Sequence, residues 1–394
     1  MGERDVNKGP LSGLVVLDCT HVIAGAWCSM ILADLGADVI KIEPLAGEVT
    51  RLTLGNFCAY DFVNRNKRAI AVDLHTPEGA EVLRTLAATA DIWVENYRPG
   101  ALDKLGLGYA DLSAINPALV YCSVSGFGRD GPYAKRGGLD LVAQAMSGLM
   151  SFIGEDGAPP ASSGVPMADL NAGTFAAIGV LAAISSRASS GKGQHVETSL
   201  LESALAYTVW ESGMYLRNGE IAGRTGSRHR LAAPYQALKT ADGHIVIGVS
   251  SQSLWTRFLV AIDRLDLGDD ERFATSLARL QNRLTLQDVI EAHFAANTSD
   301  HWSDVLNGAG IPCGPINSIA DALSDPQIEA REMVVSVEGD RFVRTPLRFS
   351  DTPVAINRGP ARIGEHSRDV LASAGYTPDA IEALLASGAI AQAS

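Results

Sequence analysis

The run Leu14–Glu43, LVVLDCTHVIAGAWCSMILADLGADVIKIE, decides the architecture. Leu14–Asp18 is a short apolar segment of strand type, Ala24–Leu35 carries a helix pattern closed by Gly36, and Asp38–Glu43 is again a strand. The unit repeats outward as strand Ala69–Leu74, helix Thr76 to about Ala90, strand Asp91–Asn96, a short helix near Gly100–Leu105 and strand Leu119–Ser125. Strands that alternate with helices build a parallel sheet covered on both faces. An α/β, doubly wound, Rossmann-like large domain follows. The dinucleotide fingerprint of such sheets is missing. The turn after Asp18 reads Cys19-Thr20-His21-Val22-Ile23-Ala24-Gly25, with one glycine, and Gly106-Leu107-Gly108 does not sit between a strand and a long helix. No Walker-type phosphate loop occurs either, so nicotinamide redox chemistry is disfavoured.

With 46% hydrophobic and 20% charged residues over 394 positions, the chain reads as a folded soluble protein of about two domains. A net charge of −13 argues against nucleic acid as a partner. It also requires a local basic patch wherever an anion is held. The polar N-terminal stretch MGERDVNKGPLSG has no signal-peptide core, and no Leu-rich membrane span occurs, so a cytoplasmic protein without a membrane partner is expected. Cys19, Cys28, Cys58, Cys122 and Cys313 are odd in number and scattered, which suggests neither a disulfide framework nor a zinc or other metal site.

One acid stands out. Asp169 lies among small and apolar residues in Gly164–Gly173, and the uncharged run Leu170–Ser186 after it reads as a buried Ala/Gly-rich helix. The residue types leave two readings open: a helix N-cap, or a carboxylate nucleophile at a helix N-terminus whose N–H groups would serve developing oxyanions. Three polar clusters accompany it. Asn64–Arg68 puts three cations in four residues, either as a solvated face or as a ligand patch. Glu95-Asn96-Tyr97-Arg98-Pro99-Gly100 follows a strand and opens a helix, a geometry suited to phosphate. Gly126–Tyr133 is a turn-forming loop.

These stretches resemble the family III CoA-transferases, the group that includes formyl-CoA transferase, carnitine CoA-transferase and alpha-methylacyl-CoA racemase. The resemblance rests on VLDCTHVIAG with LGADVIKIEP, NRNKRAIAVDL with TPEG, VENYRPGALDKLGL, SGFGRDGPYA, the Asp169 stretch, GKGQHVETSLLESA and IGEHSRDVL, from about Leu11 to about Leu371. It implies that Asp169 attacks the acyl-CoA thioester and carries CoA as an aspartyl thioester. Acyl-CoA and a small carboxylic acid would then be the substrates, with no cofactor permanently bound. CoA is expected near Val22, Leu74, His75, Asn96, Tyr97, Arg98 and Lys104, with Arg98 and Lys104 toward its phosphates. Asp140 falls where the family has an acid near substrate, although a helix N-cap before Leu141–Met150 explains it equally well.

Departures narrow the activity. Ile23, Leu139 and Pro44 replace a glutamine, a tyrosine and an arginine of formyl-CoA transferase, and its tetraglycine loop is missing, so oxalate and formyl groups are poor guesses. Leu139 also stands where the racemases carry a histidine base, and leucine cannot titrate. Racemisation or acyl-CoA hydrolysis remain the alternatives to CoA transfer. Past Leu201 come a Gly/Arg-rich loop, Gly219–His229, a hairpin-like pair Tyr235–Lys239 and His244–Val249 turned at Asp242-Gly243, and helices with Trp255, Phe258 and Trp302 as core anchors. Arg228 and His229, with Arg230, are candidates for a substrate's second carboxylate, which points to succinyl-CoA or another dicarboxylyl-CoA as donor. The implied layout is a large domain over 1–215, a linker and small α+β domain over 216–330, and a returning segment over 331–394. An interlocked homodimer is implied by the resemblance alone.

Overall fold

The computed structural model describes residues 9–51 and 58–393; most of the polar N-terminal stretch discussed above lies outside them. The chain divides into two compact units. The first gathers the residues up to Leu149, Ser162–Gly213 and those from Ala330 onward; the second holds Met150–Ala161 and Met214–Glu329. The excursion 150–161 falls inside the stretch expected to belong wholly to the large domain.

The first unit is built on β1 (Val15–Cys19), β2 (Asp38–Glu43), β3 (Lys67–Val72), β4 (Ile92–Glu95), β5 (Val120–Ser125) and β6 (His195–Ser199). They are parallel and lie in the order β3-β2-β1-β4-β5-β6. This is the doubly wound order, with its topological switch between β1 and β4. One face carries Leu17, Ile40, Ile70, Trp93 and Tyr121 against the helices Pro77–Ala87 and Ser367–Ser373. The other face is covered by the helices Ala24–Asp34 and Met167–Ser190. The latter is long and apolar enough to cross a membrane by length and composition, with half of that window buried. Small residues let these two helices approach closely: a Cβ on Gly173 would stand 2.3 Å from the Ala24 carbonyl oxygen and 3.0 Å from the Trp27 ring.

Beneath the C-terminal end of β1 the sheet encloses a charge cluster. Asp18 is fully buried and accepts hydrogen bonds from Lys67 Nζ (2.8 Å), Ser29 Oγ (2.6 Å) and Thr20 Oγ1 (2.6 Å), with Lys41 Nζ at 3.6 Å. Burial alone would raise its pKa, but the two lysine charges and these hydrogen bonds hold it well below the usual carboxylate range. Burial pushes Lys67 down to about 8 against the pull of Asp18. The basic run Asn64–Arg68 is therefore no single face or patch: Lys67 serves Asp18, buried Arg65 pairs with Asp34 at 2.7 Å, and Arg68 pairs with Asp38 at the surface.

Most expected elements are found within one or two residues of their expected bounds, but β6 and two others are not anticipated. A short β12 (Ile390–Ala391) pairs antiparallel with β3 at the sheet edge, and β9 (Cys313–Pro315) joins the hairpin β7 (Tyr235–Lys239) and β8 (His244–Gly248) in the second unit. Trp255, Phe258, Phe294 and Trp302 fill that unit's core. In the first unit, β10 (Val334–Val337) and β11 (Asp340–Val343) form a hairpin whose turn, Glu338-Gly339, takes positive φ at both residues. The expected helix at Gly100–Leu105 is a single 3-10 turn, Asp103–Leu105, preceded by Gly100 at φ +81°. The first α-helix after β4, Tyr109–Ile115, starts well beyond this turn, so no α-helix N-terminus opens at Asn96–Gly100 to receive a phosphate.

Substituting Gly173→Ala should destabilise the protein by about 1–3 kcal/mol despite alanine's better helix propensity, because the added methyl meets main chain that cannot rotate away. A lowered urea midpoint checks this, and an unchanged midpoint would show that the two helices can slide apart.

Candidate active site

The loops after β1 and β4 meet at the switch point and lock together. Asn96 Oδ1 accepts the His21 amide N–H at 2.7 Å, while Asn96 Nδ2 donates to the His21 carbonyl at 2.7 Å. The Val22 amide donates to Glu48 Oε2 at 3.0 Å, and His21 Nδ1 lies 3.6 Å from the same oxygen. Burial would raise the Glu48 pKa, but its hydrogen bond with His21 and the charge of Lys41 bring it below the ordinary value. These contacts hold Val22 at φ +61°, a left-handed conformation that costs a β-branched residue about 1–3 kcal/mol. On the β4 side the Tyr97 amide donates to Glu95 Oε2 at 2.8 Å, and Glu95 also meets Arg129 at 3.3 Å.

Asp169 is the third residue of its helix, in the first turn, and it does not cap. The N-cap position is Pro166, which offers no side-chain acceptor. Asp140 takes that role from a different element. Its Oδ1 accepts the amides of Ala168 (2.8 Å) and Asp169 (3.3 Å), and its Oδ2 accepts Gln144 Nε2 at 2.6 Å. Fully buried Gln144 then fastens the approach to the helix, accepting from Ser163 N and Oγ and donating to the Val165 carbonyl. The N-cap reading of Asp140 is corrected accordingly: it is the first residue of Asp140–Met146, behind Leu139, and it caps the Asp169 helix rather than its own. The amides expected to serve an oxyanion at that helix start are already engaged. Asp169 is 9% exposed, and burial, reinforced by the Asp140 charge, raises its pKa to about 7.

A cavity of about 460 Å³ opens over Asp169, lined among others by His21, Val22, Ile23, Asn96, Tyr97, Arg98, Arg136 and Leu139. Gly126 and Gly138 shape its wall by main-chain contact, since a Cβ on Gly126 would lie 2.7 Å from the Gly138 Cα. Among the described residues the amides of Gly137 and Gly138 have no acceptor. A second cavity of about 630 Å³ is lined by Pro44, Leu74, His75, Lys104 and Leu105. His21 and Tyr97, in edge contact at 4.8 Å between ring centroids, line both cavities. Of the two phosphate candidates, Lys104 therefore lines the second cavity and Arg98 the one that holds Asp169. Arg228 and His229 belong to the second unit. There Arg228 pairs with Glu155 at 2.7 Å and donates to Gln287, and His229 stacks on Tyr235 at 4.7 Å.

Residues 11–367 match the family described as CoA-transferase family III. The chain belongs to that family. It is 38% identical over 395 residues to the succinyl-CoA:glutarate CoA-transferase of Mus musculus, covering 97% of this chain and 91% of that one. It is 37% identical over 389 residues to a succinate–glutarate CoA-transferase of Agrobacterium fabrum, covering 94% and 97%. The crystal structure of a CAIB/BAIF family protein from Brucella suis superposes with a TM-score of 0.85 at 37% identity, covering 93% of this chain and 100% of that one. The family expected from the motifs and the doubly wound large unit are both borne out.

In this family III CoA-transferase, several residues that build the site escape a reading by motif. Glu48 and Gln144 are isolated polar residues in sequence, and only their burial and their contacts with distant main chain reveal them. Arg136 lies just past the Gly126–Tyr133 loop and carries no periodicity or spacing to single it out.

The raised pKa of Asp169 has a stability consequence with a definite sign. Between the unfolded value near 3.8 and the folded value of about 7 the native state holds the extra proton, so this residue costs stability as pH rises through that window. Asp169→Asn should therefore stabilise the enzyme more at about pH 8 than at about pH 5, by about 2–3 kcal/mol. Thermal unfolding of both chains at the two pH values checks it; a difference that does not grow with pH would refute the shift.

Proposed function

We propose that this CoA-transferase moves CoA from a dicarboxylyl-CoA such as succinyl-CoA to a dicarboxylic acid such as glutarate, through an aspartyl-CoA thioester on Asp169. The observation that carries the reading is Asp169 itself: a buried carboxylate facing a cavity at the switch point, with its capping role taken by Asp140. The relatives named above act on succinyl-CoA, succinate and glutarate, which supports the choice of acids.

In the forward half, an Asp169 carboxylate oxygen attacks the thioester carbonyl, the C–S bond breaks, and a mixed anhydride and CoA thiolate form. The thiolate then attacks the Asp169 carbonyl of the anhydride and expels the first acid as its carboxylate. In the return half the acceptor carboxylate attacks the aspartyl thioester and releases thiolate. That thiolate attacks the acceptor's carbonyl, regenerating Asp169. A basic carboxylate is the better nucleophile, and burial supplies that basicity here. The amides of Gly137 and Gly138 are the donors for the oxyanions, since those of Ala168 and Asp169 are engaged by Asp140. CoA would pass Val22, Asn96 and Tyr97 and lay its adenine and phosphate arm along Leu74, His75 and Lys104 in the second cavity. The active form is read as a homodimer, a reading supported by the exposed apolar side chains Phe175, Ile178, Leu205 and Val209.

Intact-protein mass spectrometry after incubation with succinyl-CoA, glutaryl-CoA and acetyl-CoA tests this. A hydroxylamine-labile, CoA-sized adduct should form on the native chain and not on Asp169→Ala. Equal labelling of both chains would remove Asp169 from the mechanism, and adduct that turns over equally well without an acceptor acid would mark a hydrolase. Because only the ionised carboxylate attacks, the single-turnover rate of adduct formation should climb about tenfold per pH unit up to about pH 7 and then level off.

A further inference from the structure

The cavity over Asp169 holds two guanidinium groups that the transfer steps leave without a task. Arg136 lines it, with its guanidinium carbon 4.5 Å from the Tyr133 ring centroid and 5.5 Å from that of Phe127. The two rings brace each other edge to face at 5.9 Å. Arg98 lines the same cavity, and its Nη2 lies 3.7 Å from where a Cβ on Gly137 would stand. Neither guanidinium has an acidic partner among the described residues, whereas the other arginine of this loop, Arg129, is committed to Glu95 and Asp103. The contrast extends to Arg228, whose guanidinium is taken by Glu155.

We propose that Arg136, aided by Arg98, forms the subsite that binds the remote carboxylate of the dicarboxylic acid while its other end reacts at Asp169. The proposal rests on the transferase reading above and adds to it the residues that choose the acid. Stacking on an aromatic face takes up the plane of a guanidinium and leaves its edge N–H groups free, which suits a two-point bond to a carboxylate. A dianion entering a cavity that already contains Asp169, with Asp140 hydrogen-bonded behind it, meets repulsion that two cations offset. A monocarboxylic acid of the same length would place its methyl end against those cations and leave them unpaired. The site then selects by what the wrong acid fails to satisfy.

The test uses the full-length enzyme with succinyl-CoA as common donor and compares kcat/KM for glutarate with that for pentanoate, the five-carbon monoacid. Arg136→Met retains the apolar stem and should lower the glutarate-to-pentanoate ratio by about thirtyfold or more, with Arg136→Lys in between. An unchanged ratio, including a parallel fall for both acids, overturns the subsite. Calorimetric titration of glutarate and of free CoA into the native and Arg136→Met proteins reads the same question without turnover. Glutarate affinity should fall and CoA affinity hold; a loss confined to CoA would assign Arg136 to the phosphates instead, and no glutarate binding to the native protein also overturns the proposal. If no acid accepts CoA from any donor, the transferase reading fails, and the glutarate titration still decides the subsite by itself. If only monoacids accept CoA, transfer stands and the subsite falls.

Discussion

A carboxylate placed in the middle of a sheet has to be neutralised where it stands. Asp18 sits at the C-terminal side of β1 with no access to solvent, and burying it unpaired would cost far more than the fold's net stability. Lys41 from β2, Lys67 from β3, and Ser29 from the Ala24–Asp34 helix answer that need together. Each comes from a different element. Meeting the charge therefore also sets how the three strands and the helix stand against one another, and it anchors the start of the Thr20–Ile23 turn that enters the active site. Lys41 Nζ reinforces the link by donating to the Thr20 carbonyl at 2.5 Å.

The same logic recurs at Asp140 with the charges reversed. A helix start offers amide N–H groups, and a carboxylate from another helix accepts them. That contact positions the first turn, and thereby Asp169, while setting the Asp140 charge close enough to disfavour ionisation of Asp169. The contact that places Asp169 thus also adds to the basicity that burial gives it. The design requires a dry environment, which also suits intermediates that water would hydrolyse.

Much of the fold was legible in linear order. The β-α-β rhythm from Leu14 to Ser125 reports burial on both faces of a parallel sheet, and Asp242-Gly243 marks the connection of the β7–β8 hairpin, a Thr240–Gly243 loop without positive φ at either residue. The strands that escaped notice, β6, β9 and β12, have weak patterns or are very short, and β9 and β12 exist only because a partner strand lies alongside. Asn64–Arg68 looked like one basic patch because sequence proximity cannot distinguish side chains that diverge. In the structure its cations go to three separate acids.

The sequence by itself determined the doubly wound architecture and the prominence of Asp169, because periodicity, turn residues and a lone acid in an apolar run are local properties of a chain, and its motifs carried the resemblance to the family. Only the tertiary structure decided what Asp169 is free to do. Its helix is capped by a residue 29 positions earlier, its pKa is set by burial and by that same residue, and the cations that share its cavity come from the loops after β4 and β5. Electrostatic fields and hydrogen bonds act through space, and no spacing along the chain encodes which loops a sheet will bring to one end.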